Sequence, residues 1–257
     1  MIPTSIAYLQ EQCRDLPPQK SEAWLKYREG KLTGSDMAAA LKISTFKTYV
    51  ELLAEKCGHP SIFKGNKYTQ WGEKYEDEAV SVYENETGEK VHTFSILPHP
   101  FDPRYAFSPD GITENNILIE VKCPYCRQIK HEIPSYYFPQ IQLGLQILKE
   151  HGIDTYAHFV QYRPFTEPDP VTHKSYHMDI LRVDRDDVWW KNIHFKIFSF
   201  WKDVEKYQRI GIDRHPLYKD KSKIKPIRYF GNKDNNDTDE HTQKSTVEFR
   251  DDNSDID

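Results

Sequence analysis

The chain has 257 residues, of which 37% are hydrophobic and 13% aromatic, and its net charge is -5 at pH 7. This length allows one large core, and no run of 18 apolar residues is present, so we expect no membrane partner. Four cysteines are too few for a disulfide scaffold and no secretory leader opens the sequence, so we expect a reducing intracellular compartment, cytoplasmic or nuclear.

Charge is distributed unevenly along the chain. Residues 232–257 contain nine acidic and three basic residues, so the rest of the chain is close to neutral and can carry a local basic patch. We therefore predict a folded domain over residues 1–211, a basic extension over 212–231 and an acidic disordered tail over 232–257. A solubilising tail is the simpler hypothesis, and an intramolecular mimic of DNA is the alternative.

The first candidate binding residues lie near the N-terminus. Residues 21–29 are predicted to form a helix that places Trp24 and Arg28 on one side, and Thr33 or Ser35 can cap a second helix. Because helix N-termini bind phosphate, Arg28 and Ser35 could frame an anion pocket. The alternative is that Ser35 only caps its helix and Arg28 is a surface charge.

Two further helices are predicted before the first strands. The spacing of apolar residues, Phe46 included, favours a helix over residues 46–57. A longer acidic helix is expected from Tyr68 to Thr87, and its internal Gly72 suggests close packing against another backbone. Glu76 falls on the apolar face of this helix, where a carboxylate is costly unless it is paired or binds a metal.

The second half of the chain alternates strands with helices. We expect strands at residues 90–97, 104–107, 117–122, 154–162 and 175–183, and helices at 135–149 and 184–210. Gln140 is expected on the inward side of the first of these helices. The aromatic residues of the second are expected to cover the sheet as core: Trp189, Trp190, Phe195, Phe198 and Trp201.

The stretch from Ser108 to Pro124 carries the strongest chemical signal. Asp110 lies in a turn, and the following apolar strand ends with Glu120 and Lys122, which point to the same face because they are two residues apart. Two carboxylates and a lysine at one sheet edge suit metal-dependent hydrolysis of a phosphodiester, with the Val121 carbonyl as a further oxygen ligand. The alternative is a hairpin turn followed by a simple Glu–Lys pair.

Four ordered motifs resemble the lambda-exonuclease-type, YqaJ-like viral recombinase family of the PD-(D/E)XK nucleases. The central motif is Ser-Pro-Asp-Gly followed by Ile-Glu-Val-Lys-Cys-Pro, at residues 108–124. The others are Trp24-x-x-x-Arg28-x-Gly30-x-x-Thr33-x-Ser35, Trp71-Gly-x-x-Tyr-Glu76 and Tyr137-x-x-Gln140-x-Gln142. The resemblance implies a restriction-endonuclease-like α/β core: a central mixed five-stranded sheet flanked by helices.

The resemblance also implies a role for each matched position. Asp110 and Glu120 match metal ligands, Glu76 matches a helix carboxylate near the metals, and Lys122 matches the catalytic lysine. Arg28, Ser35, Ser108 and Gln140 match a pocket for a 5′-terminal phosphate. The implied cofactor is Mg²⁺, with two ions expected and Mn²⁺ as a substitute.

The activity implied by the resemblance is 5′-to-3′ digestion of double-stranded DNA from phosphorylated ends to mononucleotides. The remaining 3′ single strand would be the substrate of a single-strand annealing protein in recombination or repair. Whether the protein forms a homo-oligomer is left open by the motifs. An endonuclease or RNA-cutting alkaline nuclease of the same fold is the enzymatic alternative. A non-catalytic protein that binds DNA ends is the alternative from another class.

Overall fold

A computed structural model describes residues 2–59 and 65–219. The predicted basic extension lies mostly outside these residues, and the predicted acidic tail lies wholly outside them. The described helices are α1 (Thr4–Cys13), α2 (Glu22–Glu29), α3 (Gly34–Ala40), α4 (Tyr49–Lys56), α5 (Lys67–Thr87), α6 (Phe138–Glu150) and α7 (Asp187–Ile210), with a short 3-10 helix at Ile212–Arg214. In the described ranges, no helix is both long and apolar enough to cross a bilayer.

A mixed five-stranded sheet forms the centre of the fold, as the resemblance implied. The strands are β1 (Leu32–Thr33), β2 (Val91–His92), β3 (Leu97–Pro98), β4 (Tyr105–Phe107), β5 (Gly111–Thr113), β6 (Leu118–Lys122), β7 (Ala157–Pro164) and β8 (Tyr176–Val183). The five-stranded order is β2-β5-β6-β7-β8. Within this sheet, β6 and β7 pair in parallel and the other described neighbours pair antiparallel. The helix α6 makes the crossover that this parallel pair requires.

The helix α6 packs tightly against the strands that carry the predicted site. Its buried face includes Leu143, Leu145 and Leu148. At Gly144, an added Cβ would lie 2.7 Å from the Phe107 ring and 2.8 Å from Leu118. A side chain at this position would therefore push the helix away from β4 and β6, which explains the glycine.

The predicted strand at residues 90–97 is wrong in one respect, since it is two strands in two sheets. Val91 and His92 pair with β5, whereas Leu97 and Pro98 pair with β4 in a small sheet of order β1-β4-β3. Between them, the Phe94 carbonyl accepts a hydrogen bond from a side chain, that of Gln19, at 2.8 Å. At Phe94 the main chain bonds to a side chain instead of a neighbouring strand, so it leaves the five-stranded sheet before it enters the small sheet.

Two predictions about helices fail for reasons of capping and spacing. The helix predicted from residue 46 begins at Tyr49, because Thr48 and Glu51 form a capping box that fixes its first turn. Phe46 is consequently outside the helix and 72% exposed. Gly72 does not pack against a backbone, since nothing lies within 4 Å of a Cβ placed there.

The last helix is apolar on two faces, and only one of them covers the core. Its buried residues are Ile193, Ile197, Phe200, Trp201, Val204 and Tyr207. Phe195 and Phe198 are 75% and 50% exposed, so the prediction that they belong to the core is wrong. The inward face combines aliphatic and aromatic residues, so the spacing of the aromatic residues alone does not mark it.

Candidate active site

Asp110 and Glu120 lie close together at the neighbouring strands β5 and β6 of the central sheet. Asp110 directly precedes β5, and its Oδ2 accepts a hydrogen bond from the Val121 amide at 2.7 Å. Glu120 lies within β6 and is fully buried, and its Oε2 has no hydrogen-bond partner among the described residues. The predicted neighbours are thus brought together, with one buried carboxylate oxygen left without a donor.

Lys122 supplies positive charge beside this pair. Its ammonium donates to Glu120 Oε1 and lies 5.2 Å from the centre of the Tyr137 ring. Burial alone would lower the pKa of Lys122, but the carboxylates of Glu120 and Asp110 outweigh burial and raise the pKa above its ordinary value. The lysine is therefore held as a cation against the carboxylates.

The carboxylates carry more negative charge than the surrounding groups balance. Burial and then the charge of Glu120 raise the pKa of Asp110 to about 7. Burial also raises the pKa of Glu120, although Lys122 acts in the opposite direction. A site that resists ionisation in this way is suited to a bound cation, which would relieve the repulsion.

The helix α5 brings Glu76 to the same place. Ala79 and Tyr83, one and two turns further along the helix, are fully buried, so the face predicted to be inward is confirmed. Burial and the nearby charge of Asp110 raise the pKa of Glu76. Glu76 also forms an ion pair with Lys20, whose Nζ lies 3.6 Å from Oε1.

The donor set fits a hard cation with few protein ligands. In residues 2–59 and 65–219, no three His, Cys, Asp or Glu side chains are arranged to hold one metal ion. Asp110 and Glu120 would then be supplemented by a main-chain carbonyl such as that of Val121, and by water. Mg²⁺ commonly binds in this way, since it keeps several waters and takes one or two carboxylates.

Arg28 is held in a defined position at the start of α3. Its Nη2 donates to Thr33 Oγ1 at 3.0 Å and to Ser35 Oγ at 2.9 Å. The guanidinium also lies 4.0 Å over the ring of Trp24. Three side chains thus fix the orientation of its planar group, as an anion pocket would require.

Ser108 and Gln140 lie around the same end of the molecule. Trp24 donates from Nε1 to Ser108 Oγ at 3.1 Å, which links the arginine pocket to the strand that leads to Asp110. A Cβ at Gly34, next to Ser35, would lie 3.0 Å from Cγ of Gln140. The four residues predicted to bind a terminal phosphate, Arg28, Ser35, Ser108 and Gln140, thus converge on one region.

Sequence reasoning missed the buried support beneath this pocket. Asp36 is 6% exposed and forms ion pairs with Lys56 at 3.0 Å and with Lys47 at 3.5 Å. Burial opposes its ionisation, but the charges of Lys56 and Lys47 outweigh burial and lower the pKa of Asp36 to about 2. The Thr33-x-x-Asp36 spacing of a capping box was the available signal.

Comparisons with known proteins identify relatives in viruses. The chain is 31% identical over 169 residues to a protein of African swine fever virus, a match that covers 52% of this chain and 47% of the relative. It is 30% identical over 154 residues to an uncharacterised protein of Acanthamoeba polyphaga mimivirus, which covers 53% of this chain and 28% of the relative. The chain therefore spans less than half the length of these curated relatives.

A solved structure shares the fold. An alkaline exonuclease from Laribacter hongkongensis matches with a TM-score of 0.58 and 25% identity, over 74% of this chain and 95% of the exonuclease. The same exonuclease in complex with dAMP matches with a TM-score of 0.57. The predicted fold class is confirmed by this match and by the five-stranded sheet.

The chain also matches the model of a protein family. It describes the YqaJ-like viral recombinase domain and matches residues 23–151, which are 129 of the 257 residues. This segment contains the arginine pocket, α5, and the strand that carries Glu120 and Lys122. The chain belongs to the YqaJ-like viral recombinase family.

Proposed function

We propose that the protein is a metal-dependent nuclease that digests linear double-stranded DNA in the 5′-to-3′ direction from phosphorylated ends. One observation carries the proposal: the Trp24–Ser108 hydrogen bond joins the Arg28 pocket to the segment that holds Asp110. A pocket suited to a terminal phosphate thereby lies next to carboxylates suited to a cation. The spacing between the two would determine which phosphodiester is cut.

Asp110 and Glu120 would hold Mg²⁺, with the Val121 carbonyl as a further ligand and Glu76 as an outer carboxylate. Oε2 of Glu120, which has no hydrogen-bond partner in the described part of the chain, and the raised pKa of Asp110 both support a cation at this position. When bound, Mg²⁺ neutralises the scissile phosphate and activates water. Two ions are expected by resemblance, and Mn²⁺ would substitute.

The protein's own groups perform the remaining tasks. Lys122, in contact with Glu120, would place positive charge beside the phosphate as negative charge develops on its oxygens. Arg28 presents a planar guanidinium that can bind two phosphate oxygens at once, and Ser35, Ser108 and Gln140 would add neutral donors. Together these groups would bind the end of one strand and hold its first linkage at the carboxylates.

The comparisons support the same reaction class. The Laribacter protein is described as an alkaline exonuclease, and its structure with dAMP contains a mononucleotide of the kind that exonuclease digestion releases. Digestion of one strand leaves a 3′ single strand, for which a single-strand annealing protein would be the partner. The recombinase family name is consistent with that use of the product.

The test compares four substrates in Mg²⁺: a linear DNA duplex, a closed circular duplex, a single-stranded DNA and a structured RNA. We expect the linear duplex to be degraded to mononucleotides while the circle and the RNA stay intact. Lys122→Met and Asp110→Asn should abolish digestion, and Phe101→Ala, at an exposed loop position, should not. Cutting of the circle would favour an endonuclease, and binding without cutting would favour a DNA-end-binding protein.

A further inference from the structure

A turn before α2 carries a lysine where glycine would be the easier residue. The amide of Ser21 donates to the Pro18 carbonyl at 3.3 Å, which closes a four-residue turn, and Lys20 occupies its third position with a φ of 68°. Positive φ at this position favours glycine or asparagine, because a Cβ crowds the backbone there. Lys20 also precedes the segment matched by the family model, so the resemblance assigns it no role.

Two other non-glycine residues with positive φ have local explanations. Lys42 directly follows the C-cap of α3, where a left-handed residue commonly ends a helix, and Asn116 lies in the turn between β5 and β6, where asparagine tolerates this conformation. Among the described residues, neither Lys42 nor Asn116 forms an ion pair. Lys20 differs because its side chain reaches the carboxylate cluster.

The turn is fastened to the segment that carries Asp110. The side chain of Gln19 donates to the carbonyls of Phe94 at 2.8 Å and of Pro109 at 3.2 Å. Pro109 is the residue directly before Asp110. The backbone of Lys20 is thereby held beside the candidate metal site.

The ion pair with Glu76 does not by itself explain why a lysine occupies this strained position. The side chains of Lys20 and Glu76 are 58% and 31% exposed, and ion pairs with this much solvent contribute little to stability. The strained backbone is therefore not offset by the pair. Strain of this kind is concentrated at functional sites, where another interaction maintains the residue.

We infer that Lys20 binds a backbone phosphate of the DNA strand between the terminal-phosphate pocket and the carboxylates, and that Glu76 holds its ammonium when DNA is absent. The helix α2 begins just after Lys20 and places Arg28 about 10 Å further along. A DNA strand bound at both the terminal-phosphate pocket and the carboxylates would therefore pass close to the exposed ammonium of Lys20. This inference rests on the proposed function, since it names a contact to that substrate.

The experiment measures binding of a 5′-phosphorylated duplex with hydrolysis-resistant terminal linkages, by fluorescence anisotropy across a salt series in Mg²⁺. Lys20→Met should reduce the steepness of log affinity against log salt by about 1, so that its binding defect is about four-fold larger at 50 mM than at 200 mM salt. Lys20→Arg should retain the wild-type slope. Lys90→Met is the matched control, because Lys90 is exposed and follows the far end of α5.

Thermal unfolding in EDTA supplies a second readout. Lys20→Gly should have a Tm equal to or above that of the wild type, because glycine accepts positive φ, yet it should lose DNA affinity as Lys20→Met does. Wild-type salt slopes in both variants would overturn the inference, and Lys20→Met decides the matter even if Lys20→Gly folds poorly. If the wild type itself failed to bind the duplex, the proposed function would fail instead.

Discussion

Replacement of Asp110 by asparagine should stabilise the metal-free protein at pH 8. Asparagine keeps the shape and the oxygen that accepts from the Val121 amide at 2.7 Å, but it removes the charge that burial and Glu120 oppose. In the folded wild type, burial and the charge of Glu120 raise the pKa of this carboxyl from its ordinary value of 3.8 to about 7. The native state therefore retains its proton over this range, and the wild type loses stability as pH rises from about 4 to about 7.

The size of the effect follows from the two pKa values. The interval from 3.8 to about 7 corresponds to at most about 4 kcal/mol at pH 8, and solvent around the half-buried side chain reduces it. Between pH 5 and pH 8, the advantage of the variant should grow by about 2–3 kcal/mol. For a domain of this size, that change corresponds to about 5–10 °C in Tm.

The assay is thermal unfolding of both proteins in EDTA at pH 5 and pH 8, repeated with Mg²⁺ at pH 8. Mg²⁺ should raise the Tm of the wild type more than that of the variant, because a ligand stabilises the state that binds it. A variant no more stable than the wild type at pH 8 in EDTA would refute the reasoning. The carboxylates would then not repel each other as the geometry indicates.

Three further predictions concern the pocket around Arg28. Asp36→Asn should lower the free energy of unfolding in urea by about 2 kcal/mol above pH 5, because the ionised carboxylate pairs with buried Lys56. This difference should disappear as pH falls from 3.8 towards about 2, where the wild-type carboxylate takes up a proton. Gly34→Ala would place a Cβ 2.8 Å from the Phe107 ring and 3.0 Å from Cγ of Gln140, so it should displace both side chains and lower the preference for phosphorylated ends in digestion rates. Arg28→Lys keeps the charge but not the planar group, so the rate ratio between 5′-phosphate and 5′-hydroxyl duplexes should fall about ten-fold while hydroxyl ends are cut at an unchanged rate. Loss of both rates together would contradict the role of Arg28.

Local patterns were sufficient to predict the strand that carries the site. An apolar run ending in Glu120 and Lys122 places both side chains on one face, and a turn before it brings Asp110 alongside. The end of the long helix α5 was also predictable, because a glycine follows Thr87, and this Gly88 adopts the left-handed conformation that ends a helix. These features depend on neighbours within a few residues or on a simple hairpin.

Contacts between distant segments could not be predicted from local patterns. The pairing of Asp36 with Lys56 joins two helices, and that of Lys20 with Glu76 joins a turn to a helix 56 residues later. The exposure of Phe195 and Phe198 depends on which of two apolar faces of α7 the core selects. Such choices are set by packing of the whole fold, which periodicity does not encode.

The most direct test of the account is digestion of a duplex labelled separately at its 5′ and 3′ ends, with 5′ phosphate or 5′ hydroxyl, in Mg²⁺. We expect the 5′ label to be released first, as a mononucleotide, and faster from phosphorylated ends. First release of the 3′ label, internal fragments of mixed length, or equal rates on the two ends would contradict it.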